Sequence, residues 1–141
     1  MNFELSHGLG GLYDYIAALG GKVAAFEAIA AHEEKLAERL LGWLRDRRGV
    51  RIHGEPTGDR ALRVPTVSFS VGGASPEAIV RAVDPHGIGI RHGDFYAKGL
   101  VQALGLADRG GVVRVSMVHY NTEAEIDRVI AALDGAIAPS S

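Results

Sequence analysis

The sequence predicts an α+β fold, a small and largely antiparallel sheet with helices packed on it, preceded by a long amphipathic helix. Three observations lead there. Apolar residues recur every three or four positions up to about Arg45 and alternate with polar ones beyond Gly49. Turn and cap residues punctuate the rest at short intervals, as at Gly54-Glu55-Pro56-Thr57-Gly58-Asp59, Ser75-Pro76 and Asp84-Pro85-His86-Gly87. The resulting order is two helices, two strands, then helix, strand, helix, strand and helix, which a single sheet covered by helices can accommodate.

Element by element, Leu9, Leu12, Tyr15, Ile16 and Leu19 form a short helix closed by Gly20-Gly21. From about Val23 to Arg45, Phe26, Ile29, Leu36, Leu40 and Leu44 mark the long helix, with Glu33, Glu34, Lys35, Glu38 and Arg39 on a solvated face. Val50 to His53 and Val64 to Val71 alternate and read as an antiparallel pair. Ser75 caps a helix with proline at its first position, running through Ile79, Val80 and Val83. Ile88-Gly89-Ile90 is expected as a brief strand, Phe95 to Leu104 as a helix and Val112 to Val118 as a strand. In the last helix, Thr122 to Leu133, Thr122 and Glu125 make a capping box, and Ile126, Val129, Ile130 and Leu133 make the buried stripe. Residues 1–141 are thus expected as one domain, helical over 1–48, an α/β sandwich over 49–138 and a short tail over 139–141.

With 141 residues, 47% of them hydrophobic and 23% charged, the chain is globular and large enough to bury a core. Its net charge of -2 and lack of a basic tail give no drive toward nucleic acid. Apolar runs break well before the roughly 18 residues a membrane span needs, and no charged-then-apolar leader opens the chain. Cysteine is absent, so disulfides, thiolate metal sites and a thiol nucleophile are all excluded, and a reducing cytoplasm is the expected location. His86, His92, Asp94 and His119 match no metal-ligand spacing, so no metal site is expected.

Arg114 is the most informative residue. It alternates with Val113 and Val115 on an otherwise apolar strand, where a charge is costly unless an anion meets it. A strand at a sheet edge would let the side chain reach water; the alternative is a guanidinium fork that receives a carboxylate through two parallel hydrogen bonds. Its strand leads into His119-Tyr120-Asn121 and a helix start, a place where polar groups gather. Arg91, His92 and Asp94 follow Ile88-Gly89-Ile90 into a glycine-containing turn and are expected at the same rim.

Ile88-Gly89-Ile90-Arg91-His92-Gly93, Arg114-Val115-Ser116 and Tyr120-Asn121-Thr122-Glu123-Ala124-Glu125-Ile126 together resemble the class V aminotransferases, fold type I pyridoxal phosphate enzymes, in their cysteine desulfurase and selenocysteine lyase-like branch. Phe3-Glu4-Leu5 and Tyr15 to Gly20 resemble the stretch after the cofactor lysine region and the helix beyond it. The resemblance covers nearly the whole chain, as the carboxy-terminal small domain of a much longer protein. It implies that Arg114 binds the α-carboxylate of an amino-acid substrate, that Arg91 is a second substrate contact, and that the intact enzyme is a homodimer with a large domain holding pyridoxal phosphate; His92, expected at the same rim, is a further candidate substrate contact.

Three departures from the family pattern bear on chemistry. Tyr96 stands in the substrate-facing turn where true desulfurases carry a sulfur-accepting cysteine, and a phenol does not perform persulfide chemistry. Ser6-His7-Gly8 replaces a Gly-Thr pair that helps hold the cofactor phosphate, which leaves Ser6 as the candidate hydroxyl. None of Lys22, Lys35 or Lys98 matches the lysine that carries the cofactor, so no catalytic residue is assigned and the separate chain is expected to bind no cofactor. The alternative expectation is a stand-alone binding or dimerisation module derived from such an enzyme.

Overall fold

A computed structural model describes residues 2–137, so the 139–141 tail lies outside the described residues. Six α-helices and four strands follow in the order α1 (Phe3–Gly8), α2 (Gly11–Ala18), α3 (Lys22–Arg45), β1 (Val50–His53), β2 (Thr66–Val71), α4 (Pro76–Val83), β3 (Arg91–Gly93), α5 (Lys98–Ala103), β4 (Val112–Ser116) and α6 (Glu123–Ile137). The strands form one sheet in the order β1-β2-β4-β3, and every pairing is antiparallel. None of the described helices is long and apolar enough to cross a membrane.

Strand alternation divides the sheet into two unlike faces. Val67, Phe69 and Val71 of β2 and Val113 and Val115 of β4 point to one side, where α3, α4 and α6 close the main core with Leu36, Leu40, Leu41, Leu44, Ile79, Val83, Ile126 and Leu133. Thr66, Ser68 and Ser70 alternate with them and face the other side, as do Arg51 and His53 of β1. Among the described residues, a second apolar cluster covers one end of that open face. There α5 and the turn after it lay Val101, Leu104 and Leu106 over Val112.

The helix starts behave as their residues dictate. Ser75 Oγ accepts from Ala78 N at 3.0 Å. Thr122 Oγ1 accepts from Glu125 N at 3.2 Å, while the Glu125 carboxylate accepts from Thr122 N at 2.7 Å, completing the capping box. These contacts hold the Glu125 carboxyl below its usual range, with the Thr122 backbone amide the main cause. The acidic face of α3 is more than solvated surface. Glu38 accepts from Gly58 N at 2.6 Å and pairs with Arg45 at 2.5 Å, pinning the long β1–β2 connection to the helix. Only glycine fits at position 58, because a Cβ there would press against the Glu34 carbonyl and the Glu38 backbone at 2.8 Å. Across the molecule, Arg39 joins α3 to Glu123 and Asp127 of α6.

Several boundaries differ from the sequence expectation. The third strand is Arg91–Gly93 rather than Ile88–Ile90, because Ile90 is drawn into the core and leaves the next three residues to pair with β4. The helix expected over Leu9 to Leu19 is α2, Gly11–Ala18, and a further short helix, α1, precedes it and contains Ser6. The second strand begins at Thr66, after Pro65, and β4 ends at Ser116. The helix expected from Phe95 begins only at Lys98, since Phe95 and Tyr96 both have positive φ, 51° and 63°.

Candidate functional site

The open face of the sheet assembles its polar residues by register. His53 of β1 is opposite Ser68 of β2, Ser68 is opposite Arg114 of β4, and Arg114 is opposite Arg91 of β3. One cross-strand row therefore carries a histidine, a hydroxyl and two guanidinium groups. Arg51 and Ser70 stand opposite each other in the next row. Between this face and α5 lies a cleft of about 570 Å³, with Arg51, His53, Ser68, Asp94, Phe95 and Arg114 among its walls.

Arg114 is half-buried, and its guanidinium carbon sits 3.8 Å from the centre of the Phe95 ring, a cation–π contact. Among the described residues its guanidinium makes no hydrogen bond or ion pair. Arg39, Arg45, Arg47, Arg60 and Arg81, by contrast, all meet carboxylates. A delocalised cation stacked on an aromatic face keeps its in-plane donors free, and those donors match a carboxylate in geometry and charge.

The ring that supports Arg114 is held by a strained turn. Phe95 and Tyr96 are its two central residues, both left-handed, and Ala97 N donates to Asp94 O at 2.8 Å. Asp94 Oδ1 accepts from Tyr96 N at 3.0 Å, which stabilises the bend locally. Left-handed backbone costs roughly 1–2 kcal/mol for each such residue, and the turn spends it on placing Phe95 inward and Tyr96 fully outward.

The expected site residues separate accordingly. Arg114 and Arg91 share a face and adjacent strands, although Arg91 Nη1 also donates to the Ile90 carbonyl at 2.8 Å. Tyr96 lies at the rim, fully exposed. His92 pairs with Val113 and so points to the other side of the sheet, where it lines a different cleft with Lys98 and Arg109. Ser6 is distant in the chain and exposed, and its hydroxyl donates to the Asn2 carbonyl at 2.9 Å. Sequence reasoning missed Arg51, His53, Ser68 and Phe95. The alternation Val50-Arg51-Ile52-His53 and Thr66 to Val71 contained the signal for the first three, but only the register brings them to Arg114.

His53 Nε2 lies 2.9 Å from Ser70 Oγ, and burial, followed by the nearby Arg51 charge, lowers the imidazole from its ordinary value of 6.5. The unfolded chain therefore takes up this proton more readily than the folded one. The group carries no penalty above 6.5, and folding stability is expected to fall as pH drops below it and through the lowered folded value. Urea unfolding between pH 8 and 5, with and without His53→Gln, checks this. The variant should lose less stability on acidification, and an identical pH dependence would contradict the assignment.

Residues 6–129 match the family model described as Aminotransferase class-V. The chain is 50% identical over 111 residues to the aminotransferase-like protein FGM3 of Gibberella zeae, covering 77% of this chain and 27% of that protein. It is 36% identical over 127 residues to a probable cysteine desulfurase of Pseudomonas putida, covering 90% and 28%. The fold superposes on an apo cysteine desulfurase from Thermococcus onnurineus NA1 with a TM-score of 0.73 at 25% identity, over 88% of this chain and 28% of that one. The chain therefore spans little more than a quarter of the length of these relatives.

Proposed function

The chain belongs to the class V aminotransferase family, and from that premise we propose that it is the substrate-binding domain of a pyridoxal phosphate enzyme of the desulfurase-like and selenocysteine lyase-like branch. Its task is to receive the α-carboxylate of an amino acid on Arg114, with Arg91 beside it on the next strand. The observation that carries this reading is the half-buried guanidinium of Arg114, stacked on Phe95 with no anionic partner among the described residues. Tyr96 contributes bulk at the rim of the turn and no sulfur chemistry. His92 has no part in this cleft, because it faces the opposite side of the sheet.

Enzymes of this family use pyridoxal phosphate, which supplies an electron sink for chemistry at the amino acid's α-carbon. The described residues do not fit its covalent attachment. Lys22, Lys35 and Lys98 are exposed, and none lines the Arg114 cleft. Ser6 lies within α1, where its hydroxyl donates to the Asn2 carbonyl rather than standing free for a phosphate. We therefore assign the cofactor's anchorage to other parts of an intact, homodimeric enzyme. Mixing the purified chain with pyridoxal phosphate and then desalting it is expected to leave no visible absorbance band with the protein. A retained band would overturn the division of labour, and its loss in Arg114→Ala would identify this cleft as the place.

A second reading is favoured by the apolar surface of the amino-terminal helices. Phe3, Leu5, Leu9, Tyr13 and Val23 are each more than 60% exposed. In this reading the chain alone is a binding or assembly module that dimerises through that surface. Sedimentation of the chain over a micromolar concentration series is expected to show a dimer that Leu9→Ser and Tyr13→Ser dissociate. A monomer at every concentration would exclude it.

A further inference from the structure

The cleft holds more positive charge than one carboxylate calls for. Arg114, on β4, is matched across it by the Arg51 guanidinium on β1, and the His53 imidazole, uncharged near neutrality, lines the same cavity as a polar neighbour. Arg51 is exposed and its side chain, like that of Arg114, makes no hydrogen bond or ion pair among the described residues. The carboxylate of Asp94 is the acid in the lining, and one of its oxygens already accepts the Tyr96 amide. β1 and β4 are separated by β2 alone, so their axes lie about 10 Å apart at the usual strand spacing. The hydroxyls of Ser68 and Thr66 occupy the floor between them.

Resting on the reading of Arg114 as the α-carboxylate site, we infer that the cleft selects an amino acid whose side chain ends in a second anionic group. The α-carboxylate meets Arg114, and the side-chain anion lies over β2 toward Arg51 and His53. Ser68, opposite both His53 and Arg114, donates its hydroxyl in the middle of the row. A neutral side chain of the same size would leave Arg51 as it is found here, without a counter-charge. An anionic one gains a charge-assisted contact in a partly enclosed site, where such contacts are stronger than in open water.

The test uses the intact enzyme and two pairs of near-isosteric amino acids, aspartate with asparagine and glutamate with glutamine, with dissociation constants measured by calorimetry. At least one acid is expected to bind about tenfold or more tightly than its amide. In Arg51→Gln that ratio is expected to fall to about one, and in Arg51→Lys to recover in part. Thermal unfolding of both variants verifies that the exposed substitution leaves the fold intact. Equal binding of acid and amide by the unaltered enzyme, or a ratio that survives Arg51→Gln together with His53→Gln, overturns the inference. Failure of the underlying reading looks different: Arg114→Lys would then leave the affinity of acid and amide alike unchanged.

Discussion

Replacing Arg114 by alanine in the intact enzyme is expected to weaken amino-acid binding by on the order of a hundredfold or more, while cofactor retention stays unchanged. The magnitude follows from removing one partner of a desolvated, charge-assisted pair, which typically costs about 2–5 kcal/mol. Lysine at the same position keeps the charge and loses the planar fork and the stacking on Phe95, so it should restore only part of the affinity. Substrate dissociation constants and cofactor absorbance, measured on the same samples, separate the effects. Equal losses of substrate and cofactor would count against a carboxylate role.

Gly111→Ala is expected to destabilise the fold by about 2–4 kcal/mol and to impair the site with it. Gly111 has φ +84°, and a Cβ there would stand 2.2 Å from the Gly93 carbonyl oxygen and 2.4 Å from its carbon. Both obstacles are backbone, so no rotamer relieves them. β3 must move away from β4, and Arg91 moves with it. Gly110 provides the control. Its φ is +80° but the space around its Cβ position is open, so Gly110→Ala should cost only the left-handed penalty of roughly 1–2 kcal/mol. Chemical unfolding of the two variants in parallel checks the difference, and equal losses would refute the close-approach explanation.

Where local chemistry decides, the sequence was readable. Ser75 and Thr122 cap their helices through the contacts their positions imply, and Val67, Phe69 and Val71 go inward while Thr66, Ser68 and Ser70 stay out. The family was legible in the motifs around Arg91, Arg114 and Tyr120. What misled was apolar character standing in for strand pairing. Ile88 and Ile90 look like a strand, but Ile90 serves the core, and the ladder to β4 forms over the more polar Arg91–Gly93. Phe95 was equally opaque. An aromatic residue ahead of a helical run reads as helix, and only Gly93-Asp94 hinted at a turn tight enough to force it left-handed. The lateral alignment of His53, Ser68 and Arg114 depends on register between segments far apart in the chain, which no local pattern encodes.

β4 sends Val113 and Val115 into the core and Arg114 into the cleft from three consecutive positions. The proposed anion site and the hydrophobic core are thus two sides of one backbone segment, whose partner β2 lies far earlier in the chain. The cleft consequently shares the stability of the core rather than that of a surface loop. Breathing that opens the helical amino terminus would leave it standing, whereas any excursion that separates β2 from β4 would abolish pocket and core in a single step.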